Sequence, residues 1–323
     1  MRVTMSKEIF IGIDGGGTKT STVAVDSNGQ ELARHTSPCS NYHSVGEDLA
    51  KAAINEGIKY VIRKVKETIT DDDNKEVTVG SICLGMSGVD REKDKLLVKS
   101  WVTELLGESI NYSIHNDAIV ALSSGTQGKL FGVVIICGTG CISLGFNREG
   151  VSGRSGGWGP LLGDYGSGYQ IGYDILRHVL KAKDQVGPKT SLTQVLLEKL
   201  QLTKEEDLIS WAYDPKTQSW QKFAQLSPLA FEQAQLGDEI SNLILVDAAN
   251  ALYDLINSVI KKLGLDKEEK FPLVYTGGNI ERKGILSDLL SKKIMENYPN
   301  AEILNTTCDP SMGAALLALN SKK

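Results

Sequence analysis

Residues 11–29 read IGIDGGGTKTSTVAVDSNG, and the predicted fold depends on this stretch. An apolar strand leads into the glycines at 15–17, and a second strand follows in which apolar and small polar residues alternate. A period of two is typical of β-strands, and the pair Asn28–Gly29 is a strong hairpin signal. The stretch therefore predicts a strand, a glycine turn and a second strand, with a third strand over 31–36.

The same pattern recurs later in the chain. Residues 133–150, VVIICGTGCISLGFNREG, again give an apolar strand, a glycine turn with a threonine, a second strand and a polar turn ending in glycine. Gly29 and Gly150 close the two copies and stand 121 residues apart, which is about the size of a domain. We therefore expect two homologous halves with a boundary near 122–130, assigned as domains over 1–122 and 123–323.

Helical and strand patterns alternate along the rest of the chain. Apolar residues spaced three to five apart over 45–69 predict an amphipathic helix. The other predicted segments are a strand over 78–89, a helix over 91–107, a strand over 111–117 that enters a helix, helices over 166–183, 190–200 and 228–264 with a break near Gly237, a strand over 271–279, and a closing helix, strand and helix. Strands and helices in this order predict an α/β protein.

The composition argues against several classes of protein. The 323 residues carry 35 basic and 40 acidic side chains, whereas a nucleic-acid binder normally shows a basic excess. The longest apolar run, GVVIIC at 132–137, is far shorter than the roughly 20 residues that span a bilayer. The start lacks the apolar core of a signal peptide, and five scattered cysteines suit a reducing compartment. We expect a cytoplasmic protein with no nucleic-acid or membrane partner.

The motif DGGGTKT at 14–20 has the composition of an anion-binding turn. The glycines Gly15, Gly16 and Gly17 let the backbone approach a phosphate closely, so that several N–H groups point at its oxygens. Asp14, at the strand end, is placed to hold the metal that accompanies nucleotide phosphates, directly or through water. The alternative is a glycine hairpin with no ligand. It is not a Walker A loop, because the glycines lead into a strand and not a helix.

Two further glycine turns fall in the second half. Gly138, Thr139 and Gly140 form the turn that matches DGGGTKT across the internal repeat, and together the two hairpins suit a triphosphate. Gly277, Gly278 and Asn279 follow an apolar strand and offer a flat backbone surface for an adenine or a ribose. Each turn alone also fits an ordinary connection with no ligand.

These three glycine elements, in this order, resemble the actin, hexokinase and heat-shock-70 ATPase superfamily. Within it, DGGGTKT, the ND at 116–117, GTG, GGWGPLLGDYGSGY and the closing GAALLAL resemble the N-acetylglucosamine kinase family over residues 8–319, especially its eukaryotic, plant-type branch. The resemblance implies two duplicated actin-like, ribonuclease H-like α/β domains with a nucleotide and sugar cleft between them. It also implies ATP and Mg²⁺ as cofactors, with Thr18 and Lys19 in the phosphate turn.

The resemblance also assigns residues to the sugar and the chemistry. Asp117 aligns with the catalytic aspartate, which accepts the proton of the sugar hydroxyl as that oxygen attacks the γ-phosphorus; without the resemblance, the sequence favours a helix N-cap at this position. The implied sugar contacts are Asn41, Asp117, Gly157, Trp158, Gly159 and Asp164. One departure stands out: several relatives follow GTG with Ser-Asn, which touch the sugar, whereas this chain has Cys141 and Ile142.

The expected activity is ATP-dependent phosphorylation of the 6-hydroxyl of N-acetylglucosamine. Glucosamine, N-acetylmannosamine and glucose stay open as acceptors, and so does the oligomeric state, with a homodimer as one option. An alternative is an activator ATPase of the 2-hydroxyacyl-CoA dehydratase type, which shares DGGGT and couples ATP hydrolysis to electron transfer. A sugar-sensing regulator would need a DNA-binding segment, and no such pattern precedes residue 8 or follows residue 319.

Overall fold

The computed structural model describes residues 7–16, 18–68, 76–89, 91–215, 219–281 and 284–321. The chain divides into two compact units. The first unit combines residues 1–131 with 306–323, and the second contains residues 132–305. Each unit is built around one five-stranded sheet. The nucleotide cleft expected between two domains stays a prediction.

The sheet of the first unit contains β1 (Lys7–Gly15), β2 (Lys19–Val25), β3 (Glu31–Pro38), β4 (Val77–Met86) and β5 (Asn111–His115). Its strand order is β3-β2-β1-β4-β5. The first three strands form an antiparallel meander, in which Asp14 on β1 lies opposite Ser21 on β2. Strands β4 and β5 then add in parallel to β1, so the carboxyl ends of β1, β4 and β5 lie at one edge of the sheet.

The second unit repeats this topology strand for strand. Its sheet contains β6 (Gly132–Cys137), β7 (Cys141–Phe146), β8 (Ser152–Gly156), β9 (Phe271–Thr276) and β10 (Ala301–Asn305) in the order β8-β7-β6-β9-β10. Strands β6, β7 and β8 are again an antiparallel meander, and β9 and β10 again add in parallel. The two homologous α/β halves predicted from the repeated hairpins are therefore confirmed.

Twelve helices of the described residues cover the two sheets. They are α1 (Tyr42–Val45), α2 (Glu47–Thr68), α3 (Glu92–Leu106), α4 (Asp117–Thr126), α5 (Gly168–Lys183), α6 (Leu192–Leu200), α7 (Asp207–Ala212), α8 (Trp220–Ala224), α9 (Ser227–Gln235), α10 (Glu239–Leu263), α11 (Ile285–Asn297) and α12 (Pro310–Asn320). The predicted break near Gly237 is confirmed, because that residue separates α9 from α10 with a φ of 91°. Helices α7 and α8 were not predicted. Ile69 and the polar loop over 71–75 lie outside the described residues.

The first sheet buries both of its faces. Helices α2 and α3 pack on one face, where Ile54, Ile58 and Val98 are fully buried with apolar residues of β1 and β4. Helix α12 and the start of α4 pack on the other face. Burial on both faces explains why these strands are nearly continuous apolar runs, as expected for parallel strands.

Helix α12 corrects the predicted division of the chain. It was assigned to a domain over 123–323, but it packs on the first unit. Ser81 on β4 donates a hydrogen bond to the Ala318 carbonyl at 2.5 Å, and Ser123 on α4 donates to the Gly313 carbonyl at 2.7 Å. The boundary at 122/123 also falls inside α4. The order of elements along the chain could not predict this packing, because α12 follows β10 of the second unit but covers the sheet of the first unit.

Helix α10 also differs from expectation. By length and composition alone it is the one helix in the described ranges that could cross a membrane. The prediction that no segment could span a membrane considered only continuous runs of apolar residues. The buried residues of α10 recur every three or four positions, among them Ile240, Ile244, Leu252 and Ile256. This spacing is that of an amphipathic helix facing a protein core, and within the second unit the helix packs against β7 and β8.

Candidate active site

The first glycine hairpin connects β1 to β2 and is closed by backbone hydrogen bonds. The Gly16 N–H donates to the Lys19 carbonyl at 3.0 Å. At Gly15 a Cβ would lie 2.6 Å from Ser40 Oγ, so the tight packing requires glycine there. Thr18 and Lys19 are exposed, and Gly17 lies outside the described residues. The turn thus has a rigid base and an exposed tip, as a phosphate-binding hairpin requires.

Two other carboxylates act on Asp14 beside this hairpin. Asp14 is half-buried at the end of β1. Burial, followed by the negative charges of Asp117 and Asp309, raises the pKa of Asp14 to about 7, and Lys19 opposes the shift. Mutual repulsion of this kind is relieved by a bound cation. The carboxyl ends of β1 and β5 therefore form a negative site.

This donor set suits Mg²⁺ in a nucleotide site. Mg²⁺ usually keeps several waters and is held by one or two carboxylates together with the phosphates of the substrate. In the part of the chain that the structure describes, no group of three or more His, Cys, Asp or Glu side chains could hold an ion by itself. Asp14, assisted by the charge of Asp117 or Asp309, fits the smaller requirement of Mg²⁺ with phosphate.

Asp117 is not the N-cap of its helix. The cap of α4 is Asn116, whose side-chain oxygen accepts a hydrogen bond from the Ala118 N–H at 2.9 Å. Asp117 is the first helical residue, and its carboxylate is close enough to Asp14 to raise the pKa of that residue. The capping alternative for Asp117 is therefore wrong in this structure. The carboxylate lies at the edge of the sheet where ligands of α/β proteins bind.

Asp309 belongs to the same acidic site and was missed by the sequence reasoning. It caps α12, accepting hydrogen bonds from the N–H groups of Ser311 and Met312, and it forms an ion pair with Arg34 at 2.8 Å. Burial alone would raise the pKa of Asp309, but the hydrogen bonds from Arg34 and Ser311 outweigh it and hold the pKa below its ordinary value. The dipeptide Asp-Pro before an apolar run is a helix-start signal that could have identified this cap.

Asn41 lies close to the first hairpin. It caps α1 by accepting a hydrogen bond from the His43 N–H at 3.1 Å. The preceding residues pack on the turn: Cys39 Sγ donates to the Gly16 carbonyl at 3.5 Å, and Thr20 Oγ1 donates to Ser40 Oγ at 2.7 Å. The structure therefore brings Asn41 to the same edge of the first unit as Asp14, as a sugar contact there would require.

In the second unit the two predicted nucleotide turns contact each other. Asn279 Nδ2 donates to the Gly138 carbonyl at 3.0 Å, and the Asn279 N–H donates to the Cys137 carbonyl at 3.1 Å. The same Gly138 carbonyl accepts from Gly168 N–H at 2.8 Å, at the first residue of α5. Gly277, with a φ of 102°, has no room for a Cβ.

The tips of these turns are open. A Cβ at Gly138 or Gly278 would meet no atom within 4 Å, and Thr139 is exposed. The first turn of α5 lies directly behind Gly138, because the N–H groups of Gly168 and Tyr169 donate to the Gly138 and Thr139 carbonyls, and the positive end of the helix dipole faces the hairpin. One continuous backbone surface suited to a nucleotide is thus formed by the hairpin at 138–140, the Gly277–Gly278 pair and the start of α5.

The glycine-rich stretch over 152–168 was predicted to be one functional loop, but its first residues form strand β8 (Ser152–Gly156), so the loop covers 157–167. Asp164 is buried with a φ of 59°, and its carboxylate accepts hydrogen bonds from the backbone N–H groups of Cys141 and Gly159. Burial nevertheless raises the pKa of Asp164. Its carboxylate thus holds the loop on the GTG hairpin, whereas the Trp158 indole is 67% exposed. Gly157 and Gly159 have positive φ angles, which the bends of the loop require.

Residue Cys141, where some relatives have a polar sugar contact, faces inward. Cys141 Sγ donates to the Tyr165 carbonyl at 3.1 Å, and Cys137 Sγ donates to the next carbonyl, Gly166, at 3.4 Å. Burial raises the pKa of both thiols, that of Cys137 to about 12. Both cysteines are therefore packing residues under the loop.

A cavity of about 590 Å³ in the second unit was not predicted either. Aromatic rings of α5 and α8 line it, including Tyr169, Tyr173, Trp220 and Phe223. It begins next to the GTG hairpin, because the Tyr169 N–H donates to the Thr139 carbonyl at 3.0 Å. Its aromatic walls come from residues 169–223, a region where sequence patterns showed only helices.

The chain has the two-domain α/β fold of actin-like kinases, as the sequence predicted. Its signs are the repeated sheet, the two glycine hairpins and the acidic edge of the first sheet. The crystal structure of a putative N-acetylglucosamine kinase from Chromobacterium violaceum has a TM-score of 0.70 at 22% identity, covering 98% of this chain and 100% of that one. A second putative N-acetylglucosamine kinase, from Porphyromonas gingivalis, gives 0.69 at 17% identity, with 97% and 100% covered.

The chain belongs to the BadF/BadG/BcrA/BcrD ATPase family, whose model matches residues 11–318. It is also 33% identical over 310 residues to an N-acetylmuramic acid/N-acetylglucosamine kinase from Clostridium acetobutylicum, covering 95% of this chain and 97% of that protein. These relatives are bacterial, and the assignment to a plant-type branch stays a prediction.

Proposed function

We propose that this protein is an ATP-dependent sugar kinase that phosphorylates the 6-hydroxyl of N-acetylglucosamine. The observation that carries the proposal is the position of Asp117: another residue caps its helix, and its carboxylate lies within electrostatic reach of Asp14 at the ligand-binding edge of the sheet. The relationship to the Clostridium acetobutylicum kinase supports an amino sugar as the acceptor.

In this proposal the ATP phosphates bind the hairpins at 14–20 and 138–140, and the adenosine binds near Gly278 and Asn279. Mg²⁺, when bound, neutralises charge on the phosphates and is held at Asp14. Asp117 accepts the proton of the sugar hydroxyl, a contribution of roughly 10²- to 10⁴-fold in rate. Asn41 and the loop over 157–164 orient the sugar. Location in the cytoplasm and a homodimer remain parts of the proposal.

A coupled assay of ADP release over a panel of sugars tests the proposal. The panel contains N-acetylglucosamine, N-acetylmannosamine, glucosamine and glucose, with a control that lacks sugar. We expect N-acetylglucosamine to give the highest kcat/KM of these four, with the phosphate on oxygen 6 by phosphorus–proton correlation NMR. ADP release at the same rate with and without sugar would contradict the proposal and favour an activator-type ATPase.

A further inference from the structure

The imidazole of His43 lies beside the amide of Asn41, close to the end of β4. Gly88 follows β4 with a φ of 83°, and a Cβ built on it would lie 3.0 Å from His43 Cδ2 and 3.3 Å from Asn41 Oδ1. The glycine therefore leaves room for both side chains at one point. His43 is exposed, and it was not among the predicted site residues.

Two hydrogen bonds join this point to the phosphate hairpin of the first unit. One residue before the glycine, the Ser87 N–H donates to the Gly15 carbonyl at 2.9 Å. Two residues before Asn41, Cys39 Sγ donates to the Gly16 carbonyl at 3.5 Å. A sugar hydroxyl must come close to the phosphate that it attacks. Side chains held against this hairpin are therefore placed to contact the sugar.

The ring of His43 has a fixed support. Its centroid lies 4.0 Å from the centroid of the Tyr42 ring. The Tyr42 hydroxyl donates to Asp94 at 2.7 Å, and the Tyr42 ring packs edge-on against the buried Trp101. A polar group on such a support loses little conformational freedom when a ligand binds, so the imidazole is preorganised.

The hydrogen-bonding groups at this point are available to a ligand. Asn41 Oδ1 accepts from the His43 N–H at 3.1 Å, which leaves the Nδ2 hydrogens of the amide. Within the described ranges, no group forms a hydrogen bond with Asn41 Nδ2 or with the ring nitrogens of His43. A neutral imidazole both donates and accepts. An amide donor beside it suits two hydroxyl groups on neighbouring carbons.

We propose that His43 is a further sugar-binding residue, which contacts the hydroxyl group next to the one that Asn41 binds. This inference rests on the proposed function and refines it. In N-acetylglucosamine the hydroxyls on carbons 3 and 4 are the neighbouring pair that stays free when oxygen 6 is phosphorylated. His43 therefore selects an acceptor that carries hydroxyls at both positions.

A packing role is the competing account. In that account the imidazole supports Asn41 and fills the space beside Gly88 without touching the sugar. Replacement by phenylalanine separates the two accounts, because a phenyl ring keeps the contact with Tyr42 and has no hydrogen-bonding atoms. Replacement by glutamine does the reverse, because it keeps a polar group and removes the ring.

The experiment measures the Kd of N-acetylglucosamine by isothermal titration calorimetry in the parent, His43→Phe, His43→Gln and the control His35→Phe. His35 lies on β3 of the same unit, where its ring stacks on Tyr60 of α2 at 4.2 Å. We expect His43→Phe to raise the Kd about three- to tenfold, the effect of one lost hydrogen bond, with an unchanged KM for ATP. His43→Gln should bind the sugar more tightly than His43→Phe, and the control should match the parent.

Deoxy sugars give an independent readout. Among the 3-deoxy and 4-deoxy analogues of N-acetylglucosamine, the one that lacks the hydroxyl bound by His43 should bind the parent more weakly than the full sugar does. In His43→Phe that penalty should nearly disappear, because the contact is already lost.

Equal penalties in the parent and in His43→Phe for both analogues would overturn the inference. So would a Kd for His43→Phe that matches the parent while His43→Gln binds more weakly. A parent that neither binds nor phosphorylates N-acetylglucosamine would overturn the proposed function and this inference together.

Discussion

Replacing Asp14 by Asn should make the ligand-free protein more stable at pH 8 while impairing its function. Burial and the charges of Asp117 and Asp309 raise the pKa of Asp14 from 3.8 to about 7. Each pKa unit corresponds to about 1.4 kcal/mol, so ionised Asp14 lowers the free energy of unfolding by on the order of 4 kcal/mol. The asparagine removes that charge and keeps the shape of the side chain.

The sign of the pH dependence follows from this shift. Because the folded pKa is raised, the folded state binds more protons than the unfolded state between about pH 4 and pH 7. The stabilisation is complete below pH 4 and is lost as the pH rises through 7. The parent should therefore lose stability over this window relative to Asp14→Asn, by roughly 2 kcal/mol at pH 5 and by about 4 kcal/mol at pH 8.

Calorimetric unfolding of both proteins at pH 5 and pH 8 tests this prediction, since comparing the two proteins cancels the titration of groups they share. We expect a higher Tm for Asp14→Asn at both pH values, with a clearly larger difference at pH 8 than at pH 5. Mg-ATP should then raise the Tm of the parent more than that of the variant, if Asp14 holds the cation as proposed. A variant less stable than the parent at pH 8, or an equal difference at both pH values, would refute the reasoning.

Three further predictions concern backbone packing and capping. Gly12→Ala should lower expression and Tm strongly, because a Cβ there would overlap the backbone of α12. Gly277→Ala should destabilise the protein, whereas Gly278→Ala, in open space, should leave the Tm unchanged and raise the KM for ATP; equal Tm losses for both would contradict the packing. Asn116→Ala should cost about 1 kcal/mol of unfolding free energy through loss of the α4 cap, measured by urea denaturation, while the conservative Asp117→Asn should not.

Local patterns predicted most of the strands and the long helices of this fold, though not β8, α7 or α8. The period of two around each glycine turn predicted the first meander and the β6–β7 hairpin of the second, though not β8, and Gly237 predicted the end of α9. These features depend on residues only a few positions apart, so they can be predicted from one sequence. The match between 11–29 and 133–150 was enough to predict the duplication.

Contacts between distant segments could not be predicted in this way. Arg34 and Asp309 pair across 275 positions of the sequence, and no periodicity links them. Asn116 and Asp117 are both good caps, and only the helix geometry shows which one caps α4. The sugar contact of Asp164 stays a prediction, and its backbone hydrogen bonds with Cys141 on the hairpin and Gly159 in the loop could not be predicted from one sequence.

The most direct test of the account is the rate of sugar phosphorylation by Asp117→Asn. The matched control is Asp288→Asn, an exposed aspartate in the first turn of α11. We predict that Asp117→Asn lowers kcat with N-acetylglucosamine by roughly 10²-fold or more, while its KM for ATP stays near that of the parent, its Tm is at least that of the parent because the charge that repels Asp14 is removed, and the control keeps full activity. A kcat within a few-fold of the parent would contradict the central claim that Asp117 accepts the proton of the sugar.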